Sequence, residues 1–163
     1  VDLDDRSVFL LSQLGRHIAD RFAGDLAPLG LNPAHFGVLV HLRQVGRDGQ
    51  RLSQQQLADR LRVHRNAMVG LVDDLESRGL VRRERHPDDR RAHAVELTER
   101  GHDVLTQAES VADTLEDAVL APLTDAEHAQ LAALLRRLTA HAELPPGVHP
   151  GLHRRQRRSS TSP

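Results

Sequence analysis

The chain has 163 residues, a mass of 18.1 kDa, 39% apolar residues and a net charge of -1, which suits one core and excludes two large independent ones. With no Cys and only 2% aromatic residues, it can form no disulfide or thiol redox switch and offers no stacking platform for single-stranded nucleic acid. No apolar run reaches the roughly 20 residues of a membrane helix, and Asp2, Asp4 and Asp5 stand where a signal peptide would be positive, so a cytoplasmic location is expected.

From about Asp4 to Ala27, Val8, Leu11, Leu14, Ile18, Phe22 and Leu26 recur at three- and four-residue steps, which predicts a long amphipathic helix. Pro28 and Gly30 end it. Asn32-Pro33 reads as the cap and first-turn proline of a second helix, with Phe36, Leu39, Val40 and Leu42 on its buried face. Gly46, Asp48 and Gly49 break that helix. Arg51-Leu52 is a candidate short strand leading into Ser53.

The stretch Ser53 to Gly101 organises the rest. Ser53 is placed to cap a helix with Gln56 reaching back, and Leu57, Ala58 and Leu61 form its apolar stripe. Arg62, Val63 and His64 make a short break. Ala67, Met68, Leu71, Val72 and Leu75 then repeat at helical spacing until Gly79. Two helices this close must cross, which is the helix-turn-helix geometry. Leu80 to Arg85 is extended, His86-Pro87-Asp88-Asp89 supplies turn residues, and Ala92 to Leu97 alternates as a strand. Paired with the short strand at Leu52, this hairpin completes a three-stranded sheet and a winged helix. A small helical domain with a surface hairpin and no nucleic-acid role is the plainer reading of the same pattern.

Thr98 is a candidate cap for a third long helix carrying Leu105, Ala108, Val111 or Ala112, Leu115 and Val119, although Gly101 stands where a capping-box Glu or Gln would be. Pro122 interrupts it. Thr124 with Glu127 forms a capping box for a last helix lined by Leu131, Leu134, Leu135 and Leu138. The segment 145–163 is rich in Pro, Gly, Ser and Arg and predicts a disordered basic tail.

Charge is unevenly placed. Arg51 to Arg91 holds ten Arg against seven acids, whereas Asp103 to Ala140 holds seven acids and two Arg. A basic head on an acidic helical part can orient a protein on a phosphate backbone. The first and last two helices carry more apolar stripe than a small winged head can cover. Burial against a second copy resolves this, and two symmetric reading heads match a palindromic duplex. A monomer with these helices packed on its own head is the alternative.

The run LSQQQLADRLRVHRNAMVGLVDDLESRGLVRRERHPDDRRAHAVELTERG resembles the core of the MarR family of bacterial transcriptional regulators. Its most specific pieces are Leu75 to Arg83, Asp88 to Arg91 and Leu97 to Gly101, and the resemblance extends over nearly all of residues 1–144. It implies a mainly α fold with a small β-wing: a winged helix-turn-helix head at about 31–100 and dimerisation helices at about 4–28 and 102–142. It further implies a homodimer that binds palindromic double-stranded DNA, usually represses, and is often released by a small phenolic or aromatic effector. No cofactor, metal or membrane is implied.

On this reading the helix starting near His64 enters the major groove, with Arg65 and Asn66 reaching base edges or phosphates. Where relatives often carry Thr, Thr and Arg, this chain has Ala67, Val69 and Gly70, which shifts weight to phosphates and groove shape. Arg90 matches the wing arginine that enters the minor groove, and Asp88 the acid that braces it. Arg91, Arg83 and Arg85 are phosphate candidates that an ordinary wing could equally carry as solvated charges. Ser53 and Gln54 can donate to phosphate, although Ser53 is equally a simple cap. The implied effector pocket makes Arg16, His17, Asp20 and His35 candidates, each otherwise a surface or satisfied interhelix side chain. Catalysis is the rival class, yet the chain has no HExxH, no phosphate loop and no evident nucleophile–base set, and His86, Asp88 and Asp89 are rationalised by a turn. A ligand-unresponsive or protein-interaction winged module is the other alternative.

Overall fold

Among the described residues, six helices and three short strands follow the order α1 (Ser7–Leu26), a short 3-10 turn (Ala27–Leu29), α2 (Pro33–Arg47), β1 (Leu52–Ser53), α3 (Gln54–Arg60), α4 (Arg65–Ser77), β2 (Val81–Arg85), β3 (His93–Leu97), α5 (Glu99–Leu120) and α6 (Asp125–His141). The structure is a computed structural model that describes residues 2–3, 5–85, 93–145 and 147–148. Asp88, Arg90 and Arg91 at the expected wing tip, and residues 149–163 of the expected tail, lie outside the described residues.

The winged head forms as the sequence pattern requires. Ser53 Oγ accepts from the Gln56 amide while the Gln56 side chain accepts from the Ser53 amide, so both orphan donors at the start of α3 are satisfied. Arg62 adopts the left-handed region at φ 51°, which turns the chain between α3 and α4. Leu57, Ala58, Leu61, Met68, Val72 and Leu75 are buried where the two helices cross. The sheet is antiparallel in the order β1-β3-β2, with Leu52 opposite Val95 and Arg85 opposite His93. The two-residue β1 therefore does close the hairpin into three strands.

Two stripes differ from expectation. On α1 only Phe22 and Leu26 are buried; Val8, Leu11 and Leu14 are 80%, 41% and 45% exposed. On α2 Val38 is fully buried and Val40 only partly so, because Phe36 meets Phe22 edge-on, with centroids 5.3 Å apart, and sets the helix rotation. α5 runs from the head with Leu105, Ala108 and Leu115 buried. No residue of α6 is buried within this chain, and Leu134, Leu135 and Leu138 face solvent.

Candidate nucleic-acid interface

The outward side of α4 is set by what its other side must bury. Met68, Val72 and Leu75 point into the core, which leaves Arg65, Asn66, Val69, Gly70 and Asp73 exposed. His64 caps the helix, its Nδ1 accepting from the Asn66 amide at 3.3 Å, so its Nε2 carries the ring proton outward when the ring is neutral. Among the described residues, the Arg65 and Asn66 side chains have no hydrogen-bond or ion-pair partner, so both are free to meet a ligand. They sit on the first turn, where backbone amides add positive potential.

Arg83 is placed differently. Its guanidinium binds Glu76, Asp73 at 2.5 Å and the Gln54 side-chain oxygen at 2.8 Å, and its backbone amide donates to Glu76 at 3.1 Å. Burial draws the guanidinium down, but the hydrogen bonds it donates to Asp73 and Glu76 outweigh it and hold the group above its ordinary range. Arg83 thus ties the wing strand β2 to α4 and to the start of α3. Gln54 accepts this tie through its side-chain oxygen, and among the described residues its amide NH₂ has no partner. Ser53 Oγ accepts the Gln56 amide in the cap, which leaves its hydroxyl proton able to donate.

Sequence reasoning passes over Asp73, Asp74, Glu76 and Arg78. A signal is present: three acids in the last turns of a helix oppose its dipole, and such a run needs cations nearby. Arg83 supplies one. Arg78 supplies another, with Nη2 3.0 Å from Asp74 Oδ2 and Nη1 donating to the Gly30 carbonyl. Arg85 is exposed at the end of β2, and Arg82, three residues earlier and on the other face of the strand, is paired with Glu84 and Glu96.

The four effector candidates do not form one pocket. Arg16 and Asp20 make an exposed ion pair at 2.6 Å one turn apart on α1, and His17 is exposed beside them. His35 is buried and already occupied: Nδ1 accepts from the Asn32 amide at 3.3 Å and Nε2 lies 3.0 Å from Asp74 Oδ2. A separate cleft of about 560 Å³ opens where the end of α2, strand β3 and the start of α5 meet, with Arg43, Arg47, Glu96 and His102 among its lining. Arg43 is fixed there by Glu109 of α5. Among the described residues no group of three His, Asp or Glu is arranged to hold a metal ion, and no helix is long and apolar enough to cross a membrane.

Comparison with known proteins now bears on this geometry. The profile described as MarR family matches residues 29–92, the segment from the α1–α2 turn to the wing. A probable transcriptional regulator from Pseudomonas aeruginosa, of known structure, is 33% identical, with 84% of this chain and 99% of that one covered at a TM-score of 0.70. The chain belongs to the MarR family of transcriptional regulators. That membership decides between regulator and enzyme in favour of the first. Another MarR-family relation is to the transcriptional repressor CouR bound to a 23-mer DNA duplex, at 30% identity, a TM-score of 0.71 and coverage of 84% and 94%. CouR from Rhodococcus jostii RHA1 is also known bound to p-coumaroyl-CoA. A Thauera aromatica protein assigned as the putative transcriptional regulatory protein for the hcr operon is 35% identical over 109 residues, 67% of this chain. That match spans 63% of the relative's own length.

Proposed function

We propose that this MarR-family chain is a homodimeric repressor that binds a palindromic operator through α4 and the wing. The observation that carries the reading is the start of α4, where Arg65 and Asn66 stand exposed and, among the described residues, unpartnered on a well-packed head. An Arg can take guanine O6 and N7 together, and an Asn adenine N6 and N7. Ser53, Gln54, His64, Arg85 and Arg91 serve as phosphate or groove contacts, Arg90 enters the minor groove, and Asp88 braces it. Arg83 serves as the tie described above, setting the angle between wing and helix. CouR's complex with a DNA duplex supports the same use of the fold.

Dimerisation follows from uncovered apolar surface. Val8, Phe9, Leu10, Leu11 and Leu14 on α1, with Leu134, Leu135 and Leu138 on α6, are each at least 36% exposed in the single chain. A symmetric partner covers both rows and spaces two heads on one duplex. Release by a small aromatic effector completes the reading. The ligand binds one spacing of the heads more tightly than the other, with Arg16, His17 and Asp20 on α1 or the α2–β3–α5 cleft as its place. CouR's binding of p-coumaroyl-CoA is the support for that part.

The test is fluorescence anisotropy of wild type and Arg90→Ala against promoter-region and scrambled duplexes at two salt concentrations. Tight, salt-sensitive, sequence-preferring binding that Arg90→Ala weakens strongly is expected. Equal weak binding to both duplexes by both proteins would favour a protein-interaction module.

A further inference from the structure

We propose that His35 is a positioning residue for DNA binding: it bonds the α2 cap with one ring nitrogen and Asp74 with the other, holding the recognition helix in its reading position. The inference rests on the DNA-binding reading above.

His35 occupies the third position of α2, where a capping box ordinarily has Glu or Gln. The Asn32 side chain accepts from the His35 amide at 2.9 Å, and the ring Nδ1 returns the bond by accepting from the Asn32 amide at 3.3 Å. With Nδ1 an acceptor, the neutral ring carries its proton on Nε2, which faces Asp74 Oδ2 at 3.0 Å. The same carboxylate oxygen takes Arg78 Nη2 at 3.0 Å, and Arg78 Nη1 donates to the Gly30 carbonyl. The bonds therefore close a ring: the turn at Gly30, the cap at Asn32, His35, Asp74 and Arg78. It clamps the last turns of α4 to the α1–α2 turn, on the opposite end of α4 from Arg65 and Asn66.

The clamp is sensitive to protons. Burial lowers the ring's affinity for a proton below its ordinary 6.5, Asp74 acts against this, and Arg78 acts with burial. Among the described residues, Asp74 of α4 and Arg78 just past its end are the charged groups that act on the ring, with the Asn32 amide as its neutral neighbour. Because the folded ring holds a proton less well than the unfolded one, the clamp is at full strength above about pH 6.5 and weakens as pH falls through the folded value. Protonation puts an N–H on Nδ1 opposite the Asn32 N–H, so two donors meet and the cap bond is lost.

The experiment measures affinity for a duplex selected from random sequence, for wild type, His35→Gln and Asp74→Ala, from pH 8 to pH 5.5, with thermal unfolding of each to verify the fold. Gln restores the ordinary box and cannot titrate. Every other histidine is common to wild type and His35→Gln, so the difference between the two isolates His35. Expected is a loss of affinity by wild type relative to His35→Gln that grows as pH falls towards a limit of about fivefold, the scale of one net hydrogen bond. Asp74→Ala should bind several-fold more weakly than wild type at pH 8 while still folded. Ring nitrogen shifts in NMR should show the Nε2–H form at pH 8. Parallel pH curves for wild type and His35→Gln, or an Nδ1–H ring, overturn the proposal and leave the DNA reading standing. A wild type that selects no duplex overturns both.

Discussion

The Thr98 hydroxyl donates to the Gly79 carbonyl at 2.6 Å and accepts from the Gly101 amide at 3.0 Å, so one side chain closes the turn after α4 and opens α5. Gly101 lies so close to Leu80 that a Cβ there would sit within the van der Waals shell of the Leu80 carbonyl oxygen. That oxygen also accepts from the Thr98 amide at 3.1 Å, so it cannot easily retreat. Head and long helix therefore meet at a junction of backbone against backbone.

Gly101→Ala is expected to destabilise the protein by about 1–3 kcal/mol through overpacking, and Thr98→Ala by about 1 kcal/mol through loss of the cap. Urea unfolding measures both. An unchanged midpoint for Gly101→Ala would mean that the two backbones do not approach in solution.

Arg83 and Arg85 should separate in salt dependence. A phosphate contact contributes about 0.9 to the slope of log affinity against log salt, and an intramolecular tie contributes none directly. Arg85→Ala, at an exposed position proposed to meet phosphate, should therefore lower the slope by about one. Arg83→Ala should weaken DNA binding at every salt concentration with the slope nearly unchanged, because its guanidinium is already held by Glu76, Asp73 and Gln54. A slope change of one in Arg83→Ala would return this residue to the phosphate contacts.

The head is legible from the sequence because its signals are local. Ser53 with Gln56, the Gly79 stop and the strand alternation around Val95 each concern residues a few positions apart, and each is realised. Asn32 as a cap is equally visible, but His35 as its partner is not, since the box ordinarily uses Glu or Gln and the second bond, to Asp74, crosses 39 residues of sequence. Arg83 escapes for the same reason: a sequence shows the charge of an arginine and not the three acceptors that surround it. Gly101 looks in the sequence like a missing capping residue, while its cause is Leu80, 21 positions earlier. The stripe of α6 is legible as apolar, yet nothing among the described residues buries it.

That uncovered stripe supplies a prediction about assembly. Leu138→Glu, at a position 53% exposed in the single chain, should alter the stability of an isolated subunit by no more than about 0.5 kcal/mol. In a dimer the same change places an unpaired charge in an apolar contact. Light scattering after size exclusion should then show a dimer for the wild type and a monomer for Leu138→Glu. A monomeric wild type would sink the dimer.

Gly70 gives an opposition between stability and binding. It stands exposed in the middle of α4, where a side-chain methyl would meet no atom within 4 Å and where glycine costs a helix about 1 kcal/mol relative to Ala. Gly70→Ala should therefore stabilise the free protein by about 0.5–1 kcal/mol. If the outward face of α4 lies against base pairs, the added methyl enters the space where the duplex approaches, so DNA affinity should fall while thermal stability rises. Asn66→Ala, one turn earlier, should cost about 1–3 kcal/mol of binding and relax preference at one operator position, without the gain in stability. Equal affinity for Gly70→Ala and wild type would show that the duplex keeps clear of the middle of α4, leaving base readout to the first turn and the wing.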